Sequence, residues 1–185
     1  PDHSGYQGEF LYTAQGASAF EALLTEVGNQ LIAYESLKYA QQHPVSFANG
    51  RTTDPFSYPK EICEFFRKCA SINIENICAS DAFGAGLFAS YSVYSYDMDY
   101  LSLMEREQWD TLIDAPVDFT GCEGTEGSPN TYLAYLKLLN AHHTVPVVIT
   151  EFGGATGRGL AQYNTASRLQ EGHFSEKEQE KSIVR

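Results

Sequence analysis

Glu151 ends an apolar run, Val145-Pro146-Val147-Val148-Ile149-Thr150, and is followed by Phe152 and the turn-forming pair Gly153-Gly154. A carboxylate beside a buried strand is costly unless it is paired or used. At the carboxyl end of a strand it is placed to point into an active site; otherwise it caps the next loop or pairs with a basic neighbour such as Arg158. Tyr94 and Tyr96 are alternate residues of a β-biased segment, so both share one strand face, to line a pocket or pack against a helix. Asp54 and Asp81 are loop acids able to bond hydroxyl groups. Arg158 lies in the glycine-rich stretch 153–159, which lacks the Gly-Lys-Ser/Thr ending of a phosphate loop and reads as an active-site loop carrying a ligand-binding charge.

Metal chemistry is not expected. Cys63, Cys69, Cys78 and Cys122 form no CxxC pair and have no histidine at ligand spacing. They read as buried free thiols, with two disulfides as the alternative for a secreted chain. His142 and His143 are adjacent, which on a helix sets them about 100° apart and unable to share an ion without further ligands.

Elements that would position these residues follow from periodicity. Residues 1–16 read as a loop. Ser18 and Glu21 form a capping box, and Phe20, Leu24, Val27, Leu31 and Tyr34 then recur at three- and four-residue steps, predicting an amphipathic helix over 18–41. Pro44 closes it. Val45–Asn49 reads as a short strand, Arg51–Pro59 as a loop, and Pro59 as the start of a helix with Ile62, Phe65 and Phe66 on one face. Segments 76–79 and 86–96 are β-biased. Ser128-Pro129 opens a helix bearing Tyr132, Leu133, Leu136 and Leu139. The run 145–152 reads as a strand buried on both faces, as in parallel sheets covered by helices, so an α/β chain is expected.

At this point the residues resemble a family. Val-Pro-Val-Val-Ile-Thr-Glu-Phe-Gly, 145–153, resembles the seventh strand of clan A glycoside hydrolases, whose Thr-Glu-Phe-Gly or Thr-Glu-Tyr-Gly end carries the nucleophile of retaining enzymes. Tyr-Ser-Val-Tyr-Ser-Tyr, 91–96, is similar to the preceding strand, and 44–55 to the strand and loop before that. The resemblance covers about residue 18 to the C-terminus and implies a portion of a (β/α)₈ TIM barrel. It implies Glu151 as nucleophile, with Tyr94, Tyr96, Asn49, Arg158 and Asp54 near a carbohydrate substrate, and no cofactor. Two departures stand out. Ser92 and Ser95 occupy positions where such strands often carry histidine or proline. No Asn-Glu dipeptide, the family's usual acid/base, occurs in the chain. Glu9, Glu35, Glu123 and Glu126 are the substitutes considered, each in a loop or helix. The alternative is a barrel that binds glycan, or acts as a scaffold, without cleaving it. A third reading is a small complete α/β domain unrelated to sugars.

Composition bounds the partners. With 12 Lys plus Arg against 24 Asp plus Glu, the net charge of −12 repels polyanions and disfavours nucleic acid or an anionic membrane. No apolar run reaches the ~20 residues of a membrane span. Hydrophobic residues at 43% suit a folded domain. Pro1 at the start, and a Ser175/Glu178 capping box opening a charged helix just before Arg185, suggest a single domain over 1–185 cut at both ends. That domain would be roughly the C-terminal half of a barrel, completed by the rest of the same polypeptide.

Overall fold

A computed structural model describes residues 5–68, 70–94, 101–124, 129–154, 162–163, 170–171 and 175–184. The chain is mixed α/β. Its elements are β1 (Leu11–Thr13), α1 (Ala19–Tyr39), β2 (Ala48–Asn49), α2 (Lys60–Phe66), β3 (Ile77–Ala79), β4 (Ala89–Ser92), α3 (Thr131–His142), β5 (Val147–Glu151), β6 (Gln162–Tyr163), β7 (Gln170–Glu171) and α4 (Glu176–Val184). Three strands, β2-β4-β5, form a parallel sheet in chain order, with helices in the connections. β1 pairs antiparallel with β3 inside the segment expected to begin as a loop. Among the described residues the strands do not close into a barrel.

The parallel register sets two rows of side chains. Ala48, Ser90 and Val148 lie side by side in one row, and Asn49, Tyr91 and Ile149 in the next, on the opposite face. The second face meets α3: Tyr91, Tyr135, Leu138 and Leu139 are buried in one cluster, with Trp109, Leu112 and Phe56 beside them. Among the described residues the first face is open at β5, where Val148 is 42% exposed, while Ser90 in the central strand is buried at 3%. The expectation of a strand buried on both faces is therefore corrected: among the described residues, helices cover one side of β5 only.

α1 begins as expected. Ser18 Oγ accepts from the Glu21 amide at 3.2 Å, and Glu21 Oε2 accepts from the Ser18 amide at 2.7 Å. Its burial is reversed, however. Glu21, Ala22, Thr25, Gly28, Asn29 and Ile32 are buried, whereas Phe20, Val27, Leu31 and Tyr34 are all half-exposed. Polar anchoring decides this. Asn29 Oδ1 accepts from the backbone amides of Phe10 (2.8 Å) and Leu11 (3.1 Å), and Glu21 also receives the Asn73 amide (2.7 Å). A Cβ at Gly28 would sit 2.9 Å from Leu11 Cδ1 and 3.1 Å from Phe47, so close approach to the strands requires that small face.

The other helices shift in detail. α3 is capped by Asn130, whose Oδ1 accepts from the Leu133 amide at 3.0 Å, two residues later than Ser128-Pro129 suggested. It buries Thr131, Ala134, Tyr135, Leu138 and Leu139, so of the expected face Leu139 is buried while Tyr132, Leu133 and Leu136 pack partly buried at its edge. On α2, Ile62 is buried but Phe65 is exposed. The Ser175/Glu178 box opens α4 as expected. No helix among the described residues is long and apolar enough to cross a membrane.

Candidate functional site

The parallel strands end together at Asn49, Ser92 and Glu151. Between β4 and β5 the register slips: Tyr91 faces Ile149, but Ser92 faces Glu151 rather than Thr150. The extra residue is a bulge, a feature common beside active sites because it re-aims a side chain. Strict alternation from Ile149 would place Glu151 on the face that packs against α3. The bulge returns it to the row of Ser92 on the open face. Tyr94, two residues beyond Ser92, follows the same alternation, and its hydroxyl donates to Glu151 Oε2 at 3.0 Å. Val93 lies on the opposite side, fully buried, and its amide donates to the Glu151 carbonyl at 2.8 Å. The Thr150 hydroxyl donates to the Tyr91 carbonyl at 3.3 Å, adding a bond across the irregularity.

Glu151 and Tyr94 are thus brought together, while two other expected contacts are not. Asn49 is buried beneath the rim: Nδ2 donates to the Ile72 carbonyl (2.9 Å), and Oδ1 accepts from the Gly50 amide (2.9 Å) and the Thr53 hydroxyl (2.5 Å). It braces the loop after β2. Asp54, expected as a solvent-facing loop acid, is 0% exposed. Its carboxylate accepts from Tyr58 (2.7 Å), Tyr135 (2.8 Å) and Lys68 (2.8 Å), tying the loop to α3. Burial pushes its carboxyl above the ordinary value, and Lys68 opposes that shift.

Tyr96 and Arg158 lie outside the described residues, as does Glu126. Of the substitute acids, Glu35 pairs with His43 (3.2 Å), Glu123 pairs with Arg106 (3.3 Å) and Glu9 is exposed, as is the loop acid Asp81. Cys63, Cys78 and Cys122 are free thiols. No cluster of three or more metal-ligating side chains occurs among the described residues.

A polar relay beneath β4 escaped the sequence reading. His143 Nδ1 lies 3.0 Å from Glu75 Oε1, and His143 Nε2 lies 2.8 Å from the Tyr91 hydroxyl. The carboxylate can only accept, so Nδ1 carries the proton and Nε2 accepts from Tyr91. Burial, with the negative charge of Asp54, raises the Tyr91 phenol and keeps it a donor. Spacing gave no signal for this relay, since its members are widely separated in the chain.

Burial also lowers His143 and His142, and in His142 the repulsion that a protonated His143 would exert lowers it further. Between those depressed values and the ordinary ~6.5, the unfolded chain binds more protons than the folded one, so stability rises with pH across that window. The thermal midpoint is expected to fall by several degrees between about pH 7 and about pH 5.5, and His143→Gln to remove part of that fall. A flat profile in both proteins would contradict neutral buried imidazoles.

Comparison with protein-family models, with curated proteins and with solved structures returned no match.

Proposed function

We propose that the chain is a portion of a (β/α)₈ barrel and acts as a retaining glycoside hydrolase, with Glu151 as nucleophile. The observation that carries the reading is the Tyr94–Glu151 hydrogen bond of 3.0 Å on the open face, at the carboxyl ends of parallel strands. Parallel strands that follow chain order, joined through helices, support the barrel. With Oε2 held by Tyr94, Oε1 is left to attack the anomeric carbon as the aglycone departs. Water then hydrolyses the glycosyl ester and returns the carboxylate. The second carboxyl group needed about 5–5.5 Å away is supplied, in this reading, by another strand of the same barrel.

An activated substrate isolates the nucleophile from the missing acid, because a dinitrophenolate leaves without protonation. Incubation with a panel of dinitrophenyl 2-deoxy-2-fluoro-glycosides is expected to add one glycosyl group to the peptide containing Glu151. Failure of every pyranoside in the panel to label Glu151 overturns the assignment. Tyr94→Phe keeps the ring but removes the donor, and should lower kcat roughly ten- to a hundredfold with KM little changed. An unchanged kcat would remove Tyr94 from the site.

The absence of any Asn-Glu dipeptide favours a second reading, a barrel that binds glycan without cleaving it. Glycan binding detected by calorimetry, with no labelling of Glu151, would select that reading.

A further inference from the structure

Because α1 docks through its polar and small residues, most of its apolar face is uncovered among the described residues; Leu24, at the edge of that face, is partly buried against the cluster of Phe10, Leu11 and Ile32. At about 100° per residue, Phe20, Leu23, Leu24, Val27, Leu31, Tyr34 and Lys38 fall within an arc of roughly 100°, nearly opposite the buried side. Phe20, Leu23, Val27, Leu31 and Tyr34 are each 50–56% exposed, and Leu37 beside them is 91% exposed. Together they leave on the order of 600 Å² of apolar side chain open, at the top of the range for a monomer's largest patch and approaching the ~800 Å² per partner of a standard interface.

We infer that this face pairs with the same face of a second copy of the chain, as two antiparallel helices related by a two-fold axis near Asn29. The spacing selects that occupant. Positions 20, 24, 27, 31, 34 and 38 are separated by 4, 3, 4, 3 and 4 residues, the alternation of a two-helix seam. Run antiparallel about its midpoint, the series matches itself: Val27 of one copy faces Leu31 of the other, Leu24 faces Tyr34, and Phe20 faces Lys38. A lysine facing an aromatic ring is a favourable pairing, and Lys38 already sits 4.9 Å from the ring centre of Tyr34 in its own chain. The lone charge in the seam also marks the register, since a slipped alignment would set Lys38 against an aliphatic layer or beyond the seam. The pairing does not depend on the chemistry assigned to Glu151.

Sedimentation equilibrium of the full chain tests it. A dimer is expected at tens of micromolar, tightening as salt rises because each copy carries a net charge of −12 and screening removes the repulsion. Val27→Glu should raise the dissociation constant about a hundredfold or more while the circular dichroism spectrum stays unchanged. Adding Leu31→Lys should restore much of the affinity, since the two new charges meet across the seam. A chain that is monomeric at tens of micromolar and at high salt overturns the inference, and the face then belongs to another segment or partner. A dimer indifferent to Val27→Glu overturns it equally.

Discussion

Glu151→Gln is expected to lower turnover by about 10⁴-fold or more, some 5 kcal/mol of transition-state stabilisation, with the thermal midpoint moved by no more than about 2 °C. The two effects separate because Glu151 is exposed and its backbone, not its side chain, joins the sheet: its carbonyl accepts from Val93 at 2.8 Å. Glutamine fills the same space and can still accept from Tyr94, but its amide oxygen is a poor nucleophile toward an anomeric carbon. Hydrolysis of an activated aryl glycoside by both proteins gives the measurement. Glu151→Ala with added azide should recover part of the rate and release a glycosyl azide of inverted configuration, because the small anion enters where the carboxylate stood. Turnover retained by Glu151→Gln would remove the residue from the chemistry.

The largest effect on stability is expected from Lys68→Met, which should cost about 3–5 kcal/mol by leaving a carboxylate buried without its counter-ion. The side chains of Lys68 and Asp54 are 5% and 0% exposed, and their charged atoms are 2.8 Å apart. Tyr58 and Tyr135 also donate to Asp54, but two phenols do not neutralise a charge. Adding Asp54→Asn to Lys68→Met should recover part of the loss, since the neutral amide has no charge to strand. Without Lys68, the burial that already raises the Asp54 carboxyl loses the cation that opposes it. The folded variant then holds a proton that the unfolded chain releases above ~3.9, so its deficit relative to the parent should shrink as pH falls toward 4. Urea unfolding of the three proteins at two pH values checks this. Equal losses in the single and double variants would show that packing, rather than charge, sets the cost.

Local signals were dependable where the physics is local. Both capping boxes, Ser18/Glu21 and Ser175/Glu178, form as their spacing requires, because the partners lie within one helical turn. Val147–Glu151, Ala89–Ser92 and Ala48–Asn49 are strands within the predicted segments. Which face each element buries was less accessible. α1 carries a strong apolar stripe, yet long-range hydrogen bonds from Asn29 and Glu21, and the close approach at Gly28, turn that stripe away from its own sheet. Asp54 and Asn49, which the resemblance places near a carbohydrate, are claimed by the interior for a similar reason. Nothing near them in sequence announces Lys68, Tyr135 or Ile72, the groups that claim their polar atoms.

Residue type and order alone placed a glutamate at the carboxyl end of a β-strand and a tyrosine at the end of the strand before it. Those features depend on apolar runs and on the glycines that end them. The meeting of Glu151 with Tyr94 depended on the tertiary structure. Counting alternate residues along Val147, Ile149 and Glu151 points the carboxylate toward α3, and only the slipped pairing of Ser92 with Glu151 turns it to the open face. A bulge belongs to two strands at once. The register that creates it is set between segments some 57 residues apart, beyond the reach of any local pattern.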